Sequence, residues 1–409
     1  MNPLLSMAFR NVTRNRRRTL ITLAALVMGV TAVGTIRGLL NGLQGAIVRG
    51  TVEGTIGAIQ IHRTGYLANV MSTPLSLDFV LDPALEAKIK GVKGVKAIAP
   101  RIMFAGSLTL AAEEGKDSPE ALFFAATAID PVREKQVCPQ RFDFFTDNTR
   151  LDEDHVVLGD ALATAFGATT DSEAVLLAPD RDGSLNGELA KVGGAMRAIM
   201  PGEMKVAVVP LSMAQRLLRM DDHVTEVAVA VDNLDHVDRV AEELRAALGP
   251  QFEVHTWDKL VPERRTIMGI QNGISAIISA VFVLLMLLGV ANTMLMSVLE
   301  RTREVGTMMA VGVTRQAVMV LFLLEAVVLG AMGAVGGTTL SVALTALLGS
   351  KGLRFKPPNA TMPVDVFPFV NPKFQAAIFV VALLGAALFA LYPAWRASKL
   401  RPVEALAGR

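Results

Sequence analysis

The chain has 409 residues, 52% hydrophobic and 19% charged, with a formal net charge of +2 and a mean hydropathy of +0.44. That is too apolar for an ordinary soluble protein and too charged for a bundle made only of membrane helices, so apolar spans joined to a water-facing domain are expected. The near-neutral charge gives no footprint for nucleic acid, and the single cysteine, Cys138, excludes an intramolecular disulfide and a cysteine-built metal site.

Residues 1–18 place Leu4, Leu5, Ala8 and Val12 on one helical stripe, with Arg10, Arg14, Arg16, Arg17 and Arg18 elsewhere. This reads as a cytoplasmic interfacial helix on an anionic leaflet; a plain topogenic charge cluster explains the arginines equally well. A first span follows over 19–48, uncharged from Thr19 to Ile36. The order basic-then-apolar imitates a signal peptide, but the apolar stretch is long for one and an uncleaved anchor is expected. Gly34, Gly38 and Gly42 recur at four-residue intervals, a stripe that lets two helix backbones approach, within the chain or between two copies. Gly333 and Gly337 repeat the pattern in the third span. Arg37, beside the first stripe, is expected to snorkel to the interface.

Residues 49–265 are far more polar and read as an α+β domain large enough for its own core. Strands are expected at 57–63, 97–110, 121–128, 174–177, 205–209 and 225–231, and helices at 82–92, 158–168 and 234–249, with a smaller subdomain near 130–195. The helix at 234–249 carries Val237, Val240, Leu244 and Leu248 at helical spacing. No GxSxG, HExxH, CxxC or GxxxxGK[ST] pattern occurs, so no catalytic residue, metal site or ATP-binding loop is assigned. The acidic groups Asp152–Glu153–Asp154 and Asp221–Asp222 read as solvated loops, and the scattered histidines as surface or satisfied residues.

Three further apolar runs cover 266–299, 316–350 and 374–395, giving four transmembrane helices with the domain inserted between the first and second. At 1.5 Å per residue the second run makes a helix of about 50 Å, longer than roughly 30 Å of hydrocarbon, so a projecting stalk is expected. A short loop (351–373) and a tail (396–409) complete the chain. Basic residues cluster before span one, between spans two and three, and after span four, which predicts cytoplasmic termini and a large domain on the far side of the membrane. Glu325 is the one charge in the third run, about 15 Å along the helix from its start. An ionisable group there faces a partner or a cavity, or is tolerated in its protonated form, and the sequence leaves its role open.

The connector Glu300–Arg315, ERTREVGTMMAVGVTR, predicts a short amphipathic surface helix. Glu300, Arg303 and Glu304 share a face. Met308, Met309 and Val311 supply an apolar side suited to a moving partner, and Gly306 and Gly312 permit bends.

NTMLMSVLERTREVGTMMAVGVTRQAVMVLFLLEAVVLGAMGAVGG (292–337), the tail YPAWRASKLRPVEAL (392–406) and the opening MAFRNVTRNRRRTLIT resemble the FtsX-type permeases, membrane subunits of MacB-like, type VII ABC systems. The resemblance covers all four spans and the position of the outer domain. It implies a bacterial inner-membrane protein with a periplasmic domain, not an enzyme and binding no cofactor itself. Two permease subunits, as a homodimer or with a paralogue, would pair through their first spans and sit on two copies of a separate ABC ATPase that holds ATP and Mg. The connector residues Glu300, Arg301, Arg303, Glu304, Gly306, Met308, Met309 and Gly312 would carry ATPase closure to the stalk and outer domain, which act on substrate by mechanotransmission. GAIQIHRTGYL (57–67), VPLSMAQRLL (209–218) and HTWDKL (255–260) are similar to the lipoprotein-releasing LolC/LolE kind, which implies extraction of lipoproteins or other lipid-anchored substrates from the membrane. The other branches imply a scaffold that activates a periplasmic hydrolase, or efflux of drugs or peptides.

Overall fold

A computed structural model describes residues 3–14, 16–110, 121–197, 205–356 and 363–400. The side chains of Leu4, Leu5 and Val12, and the closing motif beyond residue 400, lie outside the described residues. The chain begins with α1 (Pro3–Arg14) and α2 (Arg16–Thr51). The domain follows as β1 (Ile59–Arg63), β2 (Phe79–Val80), α3 (Pro83–Lys90), β3 (Val95–Leu110), β4 (Leu122–Ile129), α4 (Pro131–Val137), β5 (His155–Gly159) and α5 (Asp160–Phe166). It continues as β6 (Glu173–Pro179), β7 (Leu185–Met196), β8 (Val206–Pro210), α6 (Leu211–Leu218), β9 (His223–Val224), β10 (Glu226–Val231), α7 (Val237–Leu248), β11 (Phe252–Thr256) and α8 (Trp257–Leu260). Then come α9 (Pro262–Glu300), α10 (Thr302–Ala310), α11 (Arg315–Lys351) and α12 (Pro372–Ser398). Two compact units result: the first 45 residues with Thr266–Leu353 and the chain from Asp365 onward, and Ala46–Arg265 with Arg354–Val364.

Among the described residues four helices are long and apolar enough to cross a membrane. With 36 residues, α2 is about 54 Å long, so a helix longer than the hydrocarbon is not peculiar to the second span. Asn371 starts α12 by accepting from Lys373 N and Phe374 N at 3.0 and 3.3 Å, and Thr314 starts α11 by accepting from Ala317 N at 3.2 Å.

The glycine stripes account for how α2 meets α11. Leu26 and Val30 of α2 lie over Gly333 and Gly337 of α11, where an added Cβ would come within 2.6 and 2.5 Å of them. In return Ser341 and Thr345 of α11 lie over Gly34 and Gly38, where a Cβ on Gly38 would meet Thr345 at 2.6 Å, and a Cβ on Gly42 would meet the Phe367–Pro368 backbone at 2.7 Å. The contact is close enough for Thr31 Oγ1 to donate to the Gly337 carbonyl at 3.2 Å. The Gly34–Gly38–Gly42 stripe is therefore occupied inside the chain, as the packing-face alternative expects. Gly38→Val should cost about 1–3 kcal/mol by overpacking this contact. Thermal unfolding in nanodiscs measures it, and Thr345→Ala in the same chain should recover part of the loss. Purely additive losses would count against the contact.

In the second unit nine strands form one sheet in the order β11-β1-β10-β3-β4-β8-β5-β7-β6. Because β6 also pairs with β3 (Ser107 opposite Leu177, Leu110 opposite Ala174), strands β3-β4-β8-β5-β7-β6 close on themselves into a barrel. Its interior is filled by Phe104, Leu108, Phe124, Leu158, Leu176, Val192, Met213 and Leu217. The other end of the 16-residue β3 belongs to a second core, where Ile59, Ile61, Val227, Val229 and Val254 lie beneath Ile89 of α3 and Val240 and Leu244 of α7. The smaller subdomain is thus wider than 130–195 and borrows half of β3. The pairs β4–β8 and β5–β7 are parallel, which makes the sheet mixed.

Candidate functional site: the connector between α9 and α11

Arg301, at φ −104° and ψ 14°, breaks the helix after Glu300 and lets the chain turn into α10. At the far end Gly312 N–H and Val313 N–H close back on the carbonyls of Met309 and Met308 at 3.1 and 3.0 Å. Gly312 sits at φ +103°, a conformation that only glycine adopts without strain. Gly306 makes no bend: it lies inside α10 on the buried face, beside Val305. A residue without a side chain allows a close approach at such a position.

The two faces of α10 differ in role. Val305, Gly306, Met308 and Met309 turn inward; Val305 is in the helical core with Met294, Val298, Val318 and Phe322, and the two methionines pack against it. Arg303, Thr307, Ala310, Val311 and Gly312 face outward, with Val311 83% exposed. Met308 and Met309 are half-buried against the bundle, and the exposed apolar side chains of the connector are Val311 and Val313.

A polar cluster fastens the connector to the helices. Glu325 of α11 is 4% exposed, and its Oε1 accepts from Asn11 Nδ2 at 2.6 Å and Arg301 Nη1 at 2.9 Å. Arg301 Nε donates to Glu304 Oε2 at 2.9 Å, and its guanidinium stacks over the Phe322 ring at 5.8 Å. Arg14 pairs with Glu304, and Arg18 pairs with Glu300. Thr22 Oγ1 donates to Thr293 Oγ1 at 2.9 Å, and a small polar cavity opens among Asn11, Arg18, Thr293, Ser297 and Glu325. Burial pulls the Arg301 pKa down, but Glu325 and Glu304 outweigh it and the net direction is up. Burial pushes Glu304 up, and Arg14 and Arg301 outweigh it, holding the carboxyl below its ordinary range. Both residues are therefore charged at neutral pH, and Arg301 and Glu304 form an ion pair.

Glu325 thus faces both a small cavity and a partner within the chain, the connector residue Arg301. The sequence reading assigns Arg14 and Arg18 to the membrane surface and does not single out Asn11. Arg14 and Arg18 are four residues apart, as are their partners Glu304 and Glu300, and that matched spacing was the available signal. Arg37 is also engaged: Nη1 donates to Asn272 Oδ1 at 2.9 Å, and the guanidinium lies 5.6 Å from the Phe374 ring centre. Among the described residues no group of acidic, histidine or cysteine side chains is arranged to hold a metal ion.

Residues 276–402 match the FtsX-like permease C-terminal family, and residues 19–247, more than half of the chain, match the MacB-like periplasmic core domain. The chain is 28% identical to a macrolide export ATP-binding/permease protein MacB of Nitrobacter winogradskyi, over 98% of this chain and 59% of that protein. It thus spans less than two thirds of the length of such relatives. It is 21% identical, over 100% of this chain and 98% of the other, to an ABC transporter permease of Methanocaldococcus jannaschii described as uncharacterised. It is 22% identical, over 98% of this chain and 97% of the other, to the ABC transporter permease YknZ of Bacillus subtilis, likewise described as uncharacterised.

Proposed function

Since this chain belongs to the family of ABC transporter permeases with MacB-like periplasmic core and FtsX-like permease domains, we propose that it is the membrane subunit of a bacterial inner-membrane exporter that works by mechanotransmission. Two copies, or one copy and a paralogue, act with two copies of an ABC ATPase that carries ATP and Mg on its own chain. In this reading the termini and α10 are cytoplasmic and the barrel domain is periplasmic. The substrate is a lipoprotein or another lipid-anchored molecule taken from the outer leaflet. The short motifs at 57–67, 209–218 and 255–260 support that class. The likeness to macrolide export proteins favours a second reading, efflux of a drug or peptide.

One observation carries the proposal: α10 is tied to the bundle by Arg301 and Glu325 on one side and leaves Arg303 and Val311 outward on the other. A helix built this way can take a push on one face and deliver it through the other. Replacing Arg303 and Val311 together with alanine should lower co-purification of the ATPase about tenfold while leaving thermal stability within about 0.5 kcal/mol, the usual range for exposed substitutions. Pull-down and unfolding of the same preparation measure both, and undiminished capture would remove α10 as the contact. Fractionation of inner and outer membranes after deletion of the chain tests the substrate. Lipoproteins retained in the inner membrane support release, whereas normal distribution with raised drug or peptide sensitivity supports efflux.

A further inference from the structure

The end of α2 runs into a π-helical turn, Val52–Ile56, closed by Gly57 N–H on the Val52 carbonyl at 2.9 Å with Gly57 at φ +82°. A helix C-terminus leaves carbonyls without partners and carries partial negative charge. Here those carbonyls are met inside the domain by buried side chains from several elements. Arg141 Nη2 donates to the Thr55 carbonyl, Arg101 Nη1 of β3 donates to the Ile56 carbonyl at 3.3 Å, and the Cys138 thiol donates to the Val52 carbonyl at 3.2 Å. Gln140 Nε2 donates to Glu53 Oε2 at 2.8 Å, and the Phe144 ring lies where a Cβ on Gly54 would meet it at 3.0 Å.

Two carboxylates stand behind the arginines. Arg101 Nε and Nη2 donate to the two oxygens of Glu134, on α4, at 3.0 and 2.7 Å, and Nη1 donates to Glu226, on β10, at 2.8 Å. Arg141 Nε lies 3.0 Å from Glu134 Oε1. Exposure of the four charged residues runs from 0% at Glu134 to 7% at Arg141. Four buried charges do not add stability over a well-packed apolar filling. What they add is direction: forked donors that fix one helical turn to three separate elements of the domain.

We infer that Arg101, Glu134, Arg141 and Glu226 form a rigid joint that makes the end of α2 move as one piece with β3, α4 and β10. The arginines are then positioning residues for the force transfer proposed above, and that functional part rests on the proposed reading. The rigidity itself does not.

The test uses the full chain in lipid nanodiscs with spin labels at Gly50→Cys, whose Cβ position has no neighbour within 4 Å, and at Val132→Cys, 72% exposed. The native Cys138 is 0% exposed and stays unlabelled. The parent should give one narrow distance distribution. Arg141→Met should at least double its width, and the amides of residues 52–57 should exchange about tenfold faster while those of β5 and β8 keep their protection. Arg141→Lys keeps a cation beside Glu134 but offers one ammonium to two acceptors, so it should fall between the two. If Arg141→Met does not fold, the lysine variant supplies the same contrast at smaller amplitude. An unchanged width in a folded variant, or exchange that rises equally in β5 and β8, overturns the joint. A nucleotide-driven change in this distance with the ATPase present would also overturn the joint, whereas failure of the full chain to capture an ATPase while the distance stays narrow counts against the proposed function and leaves the joint standing.

Discussion

Glu325→Ala is expected to destabilise the helical unit by about 3 kcal/mol and to uncouple ATP hydrolysis from transport. Removing one member of a buried ion pair strands the other, at a cost of about 3–5 kcal/mol. The lower end applies because Arg301 keeps Glu304 as a second partner at 2.9 Å and is itself 13% exposed at the side chain. Asn11 also loses its acceptor, which removes one tie between α1 and α11. Glu325→Gln retains a neutral acceptor for both donors and should lose about 1 kcal/mol, since hydrogen bonds to an ionised group are roughly twice as strong as neutral ones. A double-mutant cycle with Arg301→Met separates the pair from its surroundings. A coupling energy of about 1–3 kcal/mol is expected, whereas additivity within about 0.5 kcal/mol would sink the idea that Arg301 and Glu325 form one strut. The functional readout is sharper than stability. If α10 delivers its push through this pair, the alanine variant should still bind the ATPase through Arg303 and Val311 yet show transport falling much further than hydrolysis.

Much of the architecture was legible because its signals were local. Four long apolar runs, the alternation in β10 and the helical spacing in α7 each lie within one segment, and the structure has elements at all of them. What escaped was set by distant contacts. The strand β7 carries Gly187, Gly193 and Gly194, a composition that argues against a strand. Gly193 is required where the Arg150 carbonyl presses on its Cα, and Gly194 adopts φ +154° beside a bulge in the pairing with β5. The segment 158–168 was read as helix throughout, but Leu158 and Gly159 finish β5 before α5 begins. In the connector, spacing alone marked the charged residues and could not assign them to faces. Whether Glu304 looks at a partner protein or at Arg14 depends on α1, which is 290 positions away in sequence. The glycine stripe was equally ambiguous, since the same pattern serves α11 of its own chain or α2 of another.

Glu134→Ala is expected to be the most damaging single change in the second unit. It leaves Arg101 and Arg141 buried and facing each other without their shared carboxylate, at a cost of about 4–5 kcal/mol, which is much of the stability of an ordinary domain. The effect carries a pH signature that separates it from a simple packing defect. Burial alone raises the Glu134 pKa, but Arg101 and Arg141 outweigh it and hold the carboxyl below its ordinary value. The folded form therefore binds the proton less readily than the unfolded chain. Its contribution is complete above the unfolded carboxylate value of about 4.3 and is lost as the pH falls through the lower folded value. Denaturant unfolding of the parent and of Glu134→Gln should differ by a constant amount at pH 5–8 and converge below about pH 4. A gap that persists unchanged in acid would mean that Glu134 acts by its shape, and the charge network would lose its role. Convergence would also explain the arrangement: a joint made of ion pairs holds firmly at neutral pH although its charges add little net stability, which is what a part selected for stiffness requires.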